Sequence, residues 1–458
     1  MQSHKELYAV LAANAAAADP AARRVVCVSV APQSRASIAA KYGLSTAQVR
    51  RRLAWLLKRH LGIDHLFDVA FARNIALLES AREFVRRYRA AAAEGTVPAP
   101  PISSPEPASG PASMPMLASA CPGWICYAEK THGAVLPLID TTKSPQQIMG
   151  ALVKDHLASS LGLTPDRIFH VAVMPCYDKK LEASRQDFYN DVYSTRDVDC
   201  VLTTGEVERM FREQGFAIGE APEDDDDEDE DALFPHAGRA EGSSSGGYLS
   251  FILRYAAREL FGVALSPDDV ANGTNGVAVI PGRNPDSVDV TFTPPGADAP
   301  ALRFAYSFGF RNIQNLVRKV KPGGARAANP RRTRAGGASA ATSASTYHYV
   351  EVMACPSGCI NGGGQLRPDA APAATADPAD QPPAPAAAGK AWIAAADKAY
   401  ASPDEPIVLP DELPAVDSVV AAWLGSLGSD RARRLLHTAY RAVEAPAQSA
   451  ASALTTKW

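Results

Sequence analysis

The sequence predicts an α/β fold in which parallel sheets are flanked by helices. The first observation is a β-branched run at 24–30 that stops at Ala31-Pro32, as a buried strand does. The second is helical apolar spacing at 35–42, 45–60 and 74–88, with Ser45 as an N-cap and a strand-like segment at 65–71. The third is the recurrence of strand-like segments at 116–120, 168–175, 198–202 and 347–354. Strands that alternate with helices favour parallel sheets.

Composition divides the chain into a main domain, a linker and a C-terminal segment. We predict a flexible lead at 1–22, an α/β domain at 23–367, an Ala/Pro-rich linker at 368–388, and a C-terminal helical segment with its tail at 389–458, packed as a small appendage. Low-complexity insertions interrupt the domain at 97–113, 223–246 and 322–345. Because these stretches hold little apolar surface, we predict that they are solvated and carry no chemistry.

The overall composition is that of an ordinary globular protein and argues against several classes of function. Hydrophobic residues make up 46% of the 458 residues, charged residues make up 21%, and the formal net charge is −4. That charge gives no global attraction to nucleic acid or to an anionic membrane. No stretch approaches the roughly 20 consecutive apolar residues that span a bilayer. We therefore predict a soluble, unexported protein that recognises its partners locally.

Four of the seven cysteines lie where an α/β fold places its sites. An odd number of scattered cysteines is not typical of a disulfide framework. Cys121, Cys176 and Cys355 each follow a strand-like run, and Cys359 lies four residues after Cys355 in a glycine-rich stretch. Glycines let the backbone approach an inorganic cluster and donate N–H groups to its sulfides.

Three interpretations of these four cysteines are open on spacing alone. Four thiolates are the set that a [4Fe-4S] cluster requires. They would also serve one zinc ion, although zinc sites usually combine two close pairs of cysteines and only one pair here is close. Cysteines are also often small buried hydrophobic residues that bind nothing. The spacing favours the iron-sulfur interpretation.

Three segments together resemble the iron-only hydrogenases. That family binds its cubane through a Thr-Ser-Cys-Cys-Pro-like segment, a Met-Pro-Cys-x-x-Lys segment and a Met-x-Cys-x-x-Gly-Cys-x-x-Gly-Gly-Gly segment. The third matches at every fixed position from Met353 to Gly364. The resemblance implies a two-lobed α/β fold with a [4Fe-4S] cluster between the lobes. The implied ligands are Cys121, Cys176, Cys355 and Cys359.

The first segment departs from the hydrogenases in a way that bears on function. Where they have paired cysteines before a proline, this sequence has Ala120-Cys121, so the residue that would relay a proton to a diiron subsite has no exchangeable proton. The run at 121–133 is similar instead to the hydrogenase-like cytosolic iron-sulfur assembly factors, also called the nuclear prelamin A recognition factor-like family. The similarity extends to 31–35, 73–80, 143–150, 199–206 and 436–438.

This second resemblance implies an assembly factor and not an enzyme. Such a protein holds a [4Fe-4S] cluster and helps deliver clusters to cytosolic and nuclear apoproteins; the alternative is an iron-only hydrogenase or another redox enzyme. The implied partners are the cytosolic iron-sulfur targeting complex and an upstream cluster scaffold, with no nucleic acid and no membrane. The implied compartment is the cytoplasm, with the nucleus as a second one.

Two further family features bear on the ends of the sequence. Members tend to end in an aromatic residue that is thought to dock on the targeting complex, and Trp458 fits that role. Members also usually carry a second cluster on an N-terminal segment with four cysteines, whereas no cysteine precedes Cys27 here.

Several remaining residues are predicted to be structural. Cys126 and Cys200 are interpreted as structural thiols. His132, in a Thr-His-Gly turn, is expected to form hydrogen bonds and not to bind metal. Lys179 and Glu182 stand where hydrogenases have a lysine near the diiron ligands and a proton-path carboxylate. Without that subsite we predict that they are solvated or ion-paired.

Overall fold

The computed structural model describes residues 2–102, 113–223, 234–321, 347–368, 386–403 and 405–443. The strands within these ranges are β1 Val25–Val30, β2 His65–Asp68, β3 Met116–Ala118, β4 Ile168–Met174, β5 Tyr189–Asn190, β6 Thr195–Arg196, β7 Cys200–Thr203, β8 Val277–Pro281, β9 Ser287–Phe292, β10 Leu302–Phe308 and β11 Tyr349–Met353.

Helices flank these strands along the chain. They are α1 His4–Ala16, α2 Pro32–Tyr42, α3 Thr46–Ala54, α4 Val69–Ala93, α5 Pro122–Thr131, α6 Pro145–Ala151, α7 Ala158–Ser160, α8 Asp178–Ala183, α9 Thr204–Glu213, α10 Tyr248–Phe261, α11 Pro267–Asn272, α12 Phe310–Val320, α13 Ala386–Tyr400, α14 Pro414–Leu424 and α15 Asp430–Leu436. Short π-helical segments continue α3 through Trp55–His60 and join α6 to α7 through Leu152–Leu157.

Two larger sheets form the framework, and a short hairpin pairs β5 with β6. The first sheet has the strand order β2-β1-β4-β7 and is wholly parallel. The second has the order β3-β11-β10-β9-β8, in which β3, β11 and β10 are parallel and β10, β9 and β8 are antiparallel. The predicted α/β class with parallel sheets and flanking helices is therefore confirmed.

The central strands are buried on both faces, as parallel strands covered by helices should be. All seven residues of β4 are buried, and five of the six residues of β1 are. One apolar core fills the space between the first sheet and helices α1, α2, α3 and α9. A second core joins α4, α6 and α10 to the mixed sheet, and a third lies between that sheet and α5 and α12.

Local hydrogen bonds explain one predicted boundary that differs from the structure and one that agrees with it. The strand-like segment predicted at 65–71 ends at Asp68, because the Asp68 side chain accepts a hydrogen bond from the Ala70 N–H and begins α4. Ser45 caps α3 as predicted, in a capping box with Gln48.

The antiparallel β8-β9-β10 meander was missed. Strand β9 shows the alternating burial of a strand with one covered face. That signal is weaker than the continuous apolar runs on which the prediction relied.

The lead predicted to be flexible at 1–22 contains a packed helix. Leu7 and Val10 of α1 are buried against the first sheet, and His4 lies 3.1 Å from a carboxylate oxygen of Glu213. We predicted a flexible lead because the segment is rich in alanine and has few large apolar side chains. Alanine is also the best helix former, so this composition is equally compatible with a packed helix.

The prediction that the second insertion, at 223–246, is solvated is wrong for the part that is described from 234 onward. Phe234, Ala237 and Ala240 are buried in that part. Arg73, also buried, donates to the carbonyl oxygens of Ala237 and Gly238. The insertion predicted at 322–345 and most of the 368–388 linker lie outside the described residues, as does Trp458.

The C-terminal helices are integrated into the core and do not form a separate appendage. Trp423 of α14 and Leu436 of α15 are buried in the core around α4 and α6, while α13 packs on α2. Helix α15 ends at Leu436, because His437 bridges to Thr142 in an isolated antiparallel pair. Of the helices described, none has the length and apolar character needed to cross a bilayer.

Candidate metal centre

The four predicted ligand cysteines converge from both sheets. Cys121 follows β3 and Cys355 follows β11, which are neighbours in the mixed sheet, and Cys176 follows β4 of the parallel sheet. Burial raises the pKa of Cys359 well above its ordinary value, and the negative charges of the other three thiolates raise it further. The structure therefore brings all four thiols together where the two sheets meet.

The loop after β11 crosses from one sheet to the other. The Gly364 N–H donates to the carbonyl oxygen of Pro175 at 2.9 Å, and the Gly205 N–H donates to the carbonyl oxygen of Gly364 at 3.1 Å. Pro175 precedes Cys176, and Gly205 lies in the first turn of α9, which follows β7. These bonds hold the Cys355–Cys359 pair beside Cys176.

Two of the three consecutive glycines are required by close backbone approach. A Cβ atom on Gly362 would collide with the carbonyl oxygen of Pro175, and a Cβ on Gly364 would lie 2.7 Å from Cγ2 of Thr203. A Cβ on Gly363 would meet nothing nearer than Tyr177, at 4.0 Å. We predicted from the sequence that these glycines allow the approach of a cluster, whereas Gly362 and Gly364 are needed first for the packing of the loop on the parallel sheet.

Cys121 lies at the N-terminus of α5, where backbone donors face its sulfur. The Ala354 N–H donates to the Cys121 sulfur at 3.4 Å, and the N–H groups of Gly123 and Trp124 also favour its thiolate. A Cβ on Gly123 would lie 2.7 Å from a carboxylate oxygen of Asp178, so α5 and α8 approach closely here. Backbone donors of this kind stabilise negative charge on a ligand sulfur.

All four thiols lie in surroundings that disfavour a bare thiolate. Burial is the largest cause, and it raises the pKa of Cys176 to about 12 and that of Cys355 to about 11. The pKa of Cys121 is also raised by burial. Thiolates at such a site need nearby positive charge, which a bound metal group supplies. This chemistry fits a thiolate-ligated cluster.

A serine-rich loop at 243–245, which was not predicted from the sequence, supports Cys359. The Cys359 N–H donates to the Ser245 hydroxyl oxygen at 3.0 Å, and Ser245 is buried. The carbonyl oxygen of the neighbouring Ser244 accepts from the Gln33 side chain at 2.7 Å. This loop lies in the stretch at 223–246 that we predict to be solvated because it holds little apolar surface, although its serines and glycines also suit a tight loop with hydroxyl acceptors.

Glu351 is a second residue whose role was not predicted. Its carboxylate accepts from the Leu249 N–H at 2.9 Å and from the Ser243 hydroxyl at 3.4 Å. Burial raises the pKa of Glu351 to about 7. Glu351 thereby joins β11, the serine-rich loop and the start of α10.

The 31–35 run, which was identified by resemblance, contacts the end of the loop that carries Cys355 and Cys359. Gln365 donates to the carbonyl oxygen of Gln33 at 2.9 Å and accepts from the Thr204 hydroxyl at 2.6 Å. The Leu366 N–H donates to the Ser37 hydroxyl at 3.1 Å. These bonds fix the end of the cysteine loop against α2 and α9.

The residues interpreted as structural lie outside the group of four. Cys200 is fully buried in β7, and Cys126 is half-buried on α5. His132 lies 3.1 Å from the Tyr127 hydroxyl, which confirms its hydrogen-bonding role. In the part of the chain that is described, no three His, Cys, Asp or Glu side chains lie close enough to share a single metal ion.

A small cleft that is open to solvent lies beside Cys121. Ala120, Cys126 and Glu182 line it, and so do Arg185 and Tyr440. Ala120 therefore presents only a methyl group to this cleft. Arg185 also forms a two-point ion pair with Glu129 at 2.8 and 2.9 Å.

The fold and this arrangement of cysteines define a class of protein. The chain matches the family described as iron only hydrogenase large subunit, C-terminal domain, over residues 24–363. An apo FeFe-hydrogenase structure from Chlamydomonas reinhardtii is similar over 96% of this chain and 99% of that one, with a TM-score of 0.69 and 28% identity. The class is that of the iron-only hydrogenase-like proteins.

Proteins with similar sequences identify one family within this class. The cytosolic iron-sulfur assembly component 3 of Mus musculus is 45% identical over 100% of this chain and 82% of its own length. The cytosolic Fe-S cluster assembly factor narfl of Danio rerio is 44% identical over 100% of this chain and 95% of its own length. The chain therefore belongs to the family of cytosolic iron-sulfur assembly component 3, and the predicted resemblance is confirmed.

Proposed function

We propose that this protein holds a [4Fe-4S] cluster on Cys121, Cys176, Cys355 and Cys359 and acts in cytosolic iron-sulfur protein assembly. The observation that carries the proposal is the convergence of these thiols from three separated segments at the junction of the two sheets. Soft thiolates in a buried, glycine-rich setting with backbone donors suit such a cluster. When bound, the cluster would supply iron and inorganic sulfide at this site.

The names of the relatives support the assembly role. Relatives from Mus musculus and Danio rerio are named as cytosolic iron-sulfur assembly proteins, and a more distant one from Dictyostelium discoideum, 38% identical, is named as a probable factor of the same kind. We infer that this chain likewise helps deliver clusters to cytosolic and nuclear apoproteins. Its expected partners are an upstream cluster scaffold and the targeting complex.

Iron, acid-labile sulfide and visible absorption of anaerobically purified protein test the ligand set. About four irons and four sulfides per chain are expected, and the Cys355→Ala/Cys359→Ala variant should lose them. The matched control is Cys126→Ala/Cys200→Ala, which removes two thiols outside the group and should keep the iron. Stoichiometric zinc, or iron that survives the first double change, would refute the ligand set. Iron beyond four per chain would point to the second cluster that the family resemblance implies.

The delivery role needs a separate test. In cells depleted of their own family member, the wild-type chain should restore iron incorporation into cytosolic and nuclear iron-sulfur proteins, and the Cys355→Ala/Cys359→Ala variant should not. The interpretation of Trp458 as a docking residue predicts that Trp458→Ala keeps its iron but co-purifies with less targeting complex. Equal recovery of the complex would remove Trp458 from the proposal.

The hydrogenase fold makes a hydrogenase the second candidate function. Ala120 argues against it, because a methyl group cannot relay protons to a diiron subsite. We propose that the protein is not an enzyme. Hydrogen evolution from reduced methyl viologen above that of the Cys355→Ala/Cys359→Ala variant would contradict this.

A further inference from the structure

A buried lysine lies beside the proposed ligands. Lys179 is in the first turn of α8, three residues after Cys176, and its side chain is only 7% exposed. Its positive charge is among the influences on the thiols of Cys121, Cys176 and Cys359, where it opposes the larger effect of burial. The backbone N–H of Lys179 also donates a hydrogen bond to the Cys176 sulfur.

Two residues, Glu182 and Gln146, hold the Lys179 side chain in place. Its ammonium lies 2.9 Å from a carboxylate oxygen of Glu182, and the Gln146 side chain donates to that oxygen at 3.0 Å. Gln146 is fully buried on α6 and also donates to the carbonyl oxygen of Lys179 at 3.1 Å. A buried ammonium fixed in this way cannot swing into solvent, so its charge is a permanent feature of the centre.

The neighbouring lysine provides a contrast within the same helix. Lys180 lies 2.7 Å from Glu206 of α9 and donates to the carbonyl oxygen of Gln2 at 3.0 Å. Lys180 therefore binds α9 and the residue near the start of α1, whereas Lys179 binds Glu182. Lys180 forms an ordinary structural ion pair. Lys179 differs because its side chain is more deeply buried, 7% against 18% exposed, and because its partner Glu182 lines the cleft beside Cys121.

On the basis of the proposed ligand set, we propose that Lys179 is a positioning residue whose fixed charge stabilises the reduced state of the cluster and thereby sets its reduction potential. A four-thiolate cluster is negatively charged, and one-electron reduction makes it more negative. A nearby cation favours the more negative state. The electron comes from an external low-potential reductant such as dithionite, it enters the cluster iron, and no bond to Lys179 forms or breaks.

The test is a mediated redox titration, monitored by electron paramagnetic resonance, of wild-type protein and three variants. Lys179→Met should lower the ratio of reduced to oxidised cluster at a fixed potential by about tenfold, which equals about 59 mV for a one-electron couple. Glu182→Gln, which removes the counter-ion, should raise that ratio. Lys180→Met, the matched control, should leave it unchanged. Iron content, sulfide content and thermal unfolding are measured on each protein.

Each outcome decides the inference. Shifts of opposite sign in Lys179→Met and Glu182→Gln, with none in Lys180→Met, support it. Equal potentials in all four proteins, or the same shift for both lysine variants, overturn it. If Lys179→Met fails to fold, the Glu182→Gln potential decides alone, since a raised potential supports the inference and an unchanged one overturns it. Wild-type protein without iron would refute the proposed function itself, which is a distinct result.

Discussion

The Gly364 N–H donates to the carbonyl oxygen of Pro175 across 2.9 Å, and this bond joins the two cysteine-bearing segments of different sheets. Pro175 immediately precedes Cys176, and Gly364 lies five residues after Cys359. The loop can come this close only because no side chain stands between the two backbones. The positions of the thiols therefore depend on glycines that need not touch the cluster at all.

The three consecutive glycines should respond unequally to alanine. Gly362→Ala and Gly364→Ala place a methyl group against Pro175 or Thr203, and each should reduce the free energy of unfolding by about 1–3 kcal/mol or more and lower the iron content. Gly363→Ala is the matched control, because Gly363 is exposed and has space around it. Thermal unfolding and iron assays check this. Equal loss in all three variants would show that the cluster, and not loop packing, requires the glycines.

Ser245 should be needed to keep the Cys359 loop in place. Ser245→Ala leaves the Cys359 N–H without its acceptor, which costs about 1–3 kcal/mol where the group is buried. We expect faster loss of iron to a chelator such as bathophenanthroline. Ser244→Ala is the control, since Ser244 is also buried but bonds to Gln33 through its backbone carbonyl, which alanine keeps. Equal rates of iron loss in the two variants would argue against a specific role for Ser245.

The fold was largely predictable where apolar runs are long. Strands β1, β4 and β11 are buried on both faces, so their sequences are mostly apolar, with one polar residue in each, and their type could be predicted. The β8-β9-β10 meander and helix α1 were not predicted, because only one face of each is buried and composition alone does not reveal which face is covered.

The candidate ligands were predictable, but their supporting residues were not. Cys355 and Cys359 carry a dense local motif with characteristic spacing. Ser245 and Glu351 act through contacts with residues about a hundred positions away in the chain, as in the bond from Leu249 to Glu351, and no local pattern encodes such a contact. Lys179 stood in the motif, yet only the structure shows that Gln146 of α6 fixes it.

Glu351 should destabilise the protein as the pH rises. Burial raises its folded pKa to about 7, above the value of about 4.3 of an unfolded glutamate, so the folded state holds the proton more tightly between these pH values. Stability from this group is complete below about pH 4.3 and is lost as the pH rises from there to about 7, by about 4 kcal/mol. Glu351→Gln keeps an acceptor for Leu249 and cannot ionise.

Urea unfolding at pH 5 and pH 8 measures this effect. The Cys355→Ala/Cys359→Ala background is used for both proteins, so that cluster loss does not enter the result. Relative to its parent, the Glu351→Gln variant should gain stability at pH 8 compared with pH 5. A difference that is the same at both pH values would mean that Glu351 does not carry this pH dependence.

His170 should act in the opposite direction. It is fully buried between β1 and β7, where Nε2 lies 3.0 Å from the Ser29 hydroxyl and Nδ1 lies 3.1 Å from the carbonyl oxygen of Asp197. Because a carbonyl oxygen only accepts, Nδ1 carries the proton and Nε2 accepts from Ser29. Burial is the main cause that lowers the pKa of His170 to about 4. The unfolded state, with a pKa of about 6.5, binds the proton first as the pH falls.

Stability from neutral His170 is therefore complete above pH 6.5 and is lost between about pH 6.5 and pH 4, by about 3 kcal/mol. On the same Cys355→Ala/Cys359→Ala background, His170→Gln should be less stable at pH 7 but should lose less stability between pH 7 and pH 4.5 in urea unfolding.

His236→Gln provides a contrast, because ion pairs of His236 with Asp68 and Glu405, both at 2.7 Å, outweigh burial and raise the His236 pKa. That variant should lose more stability at pH 5 than at pH 8. If the stability curves of the two histidine variants run parallel to that of their parent, neither imidazole governs the pH response of the parallel sheet.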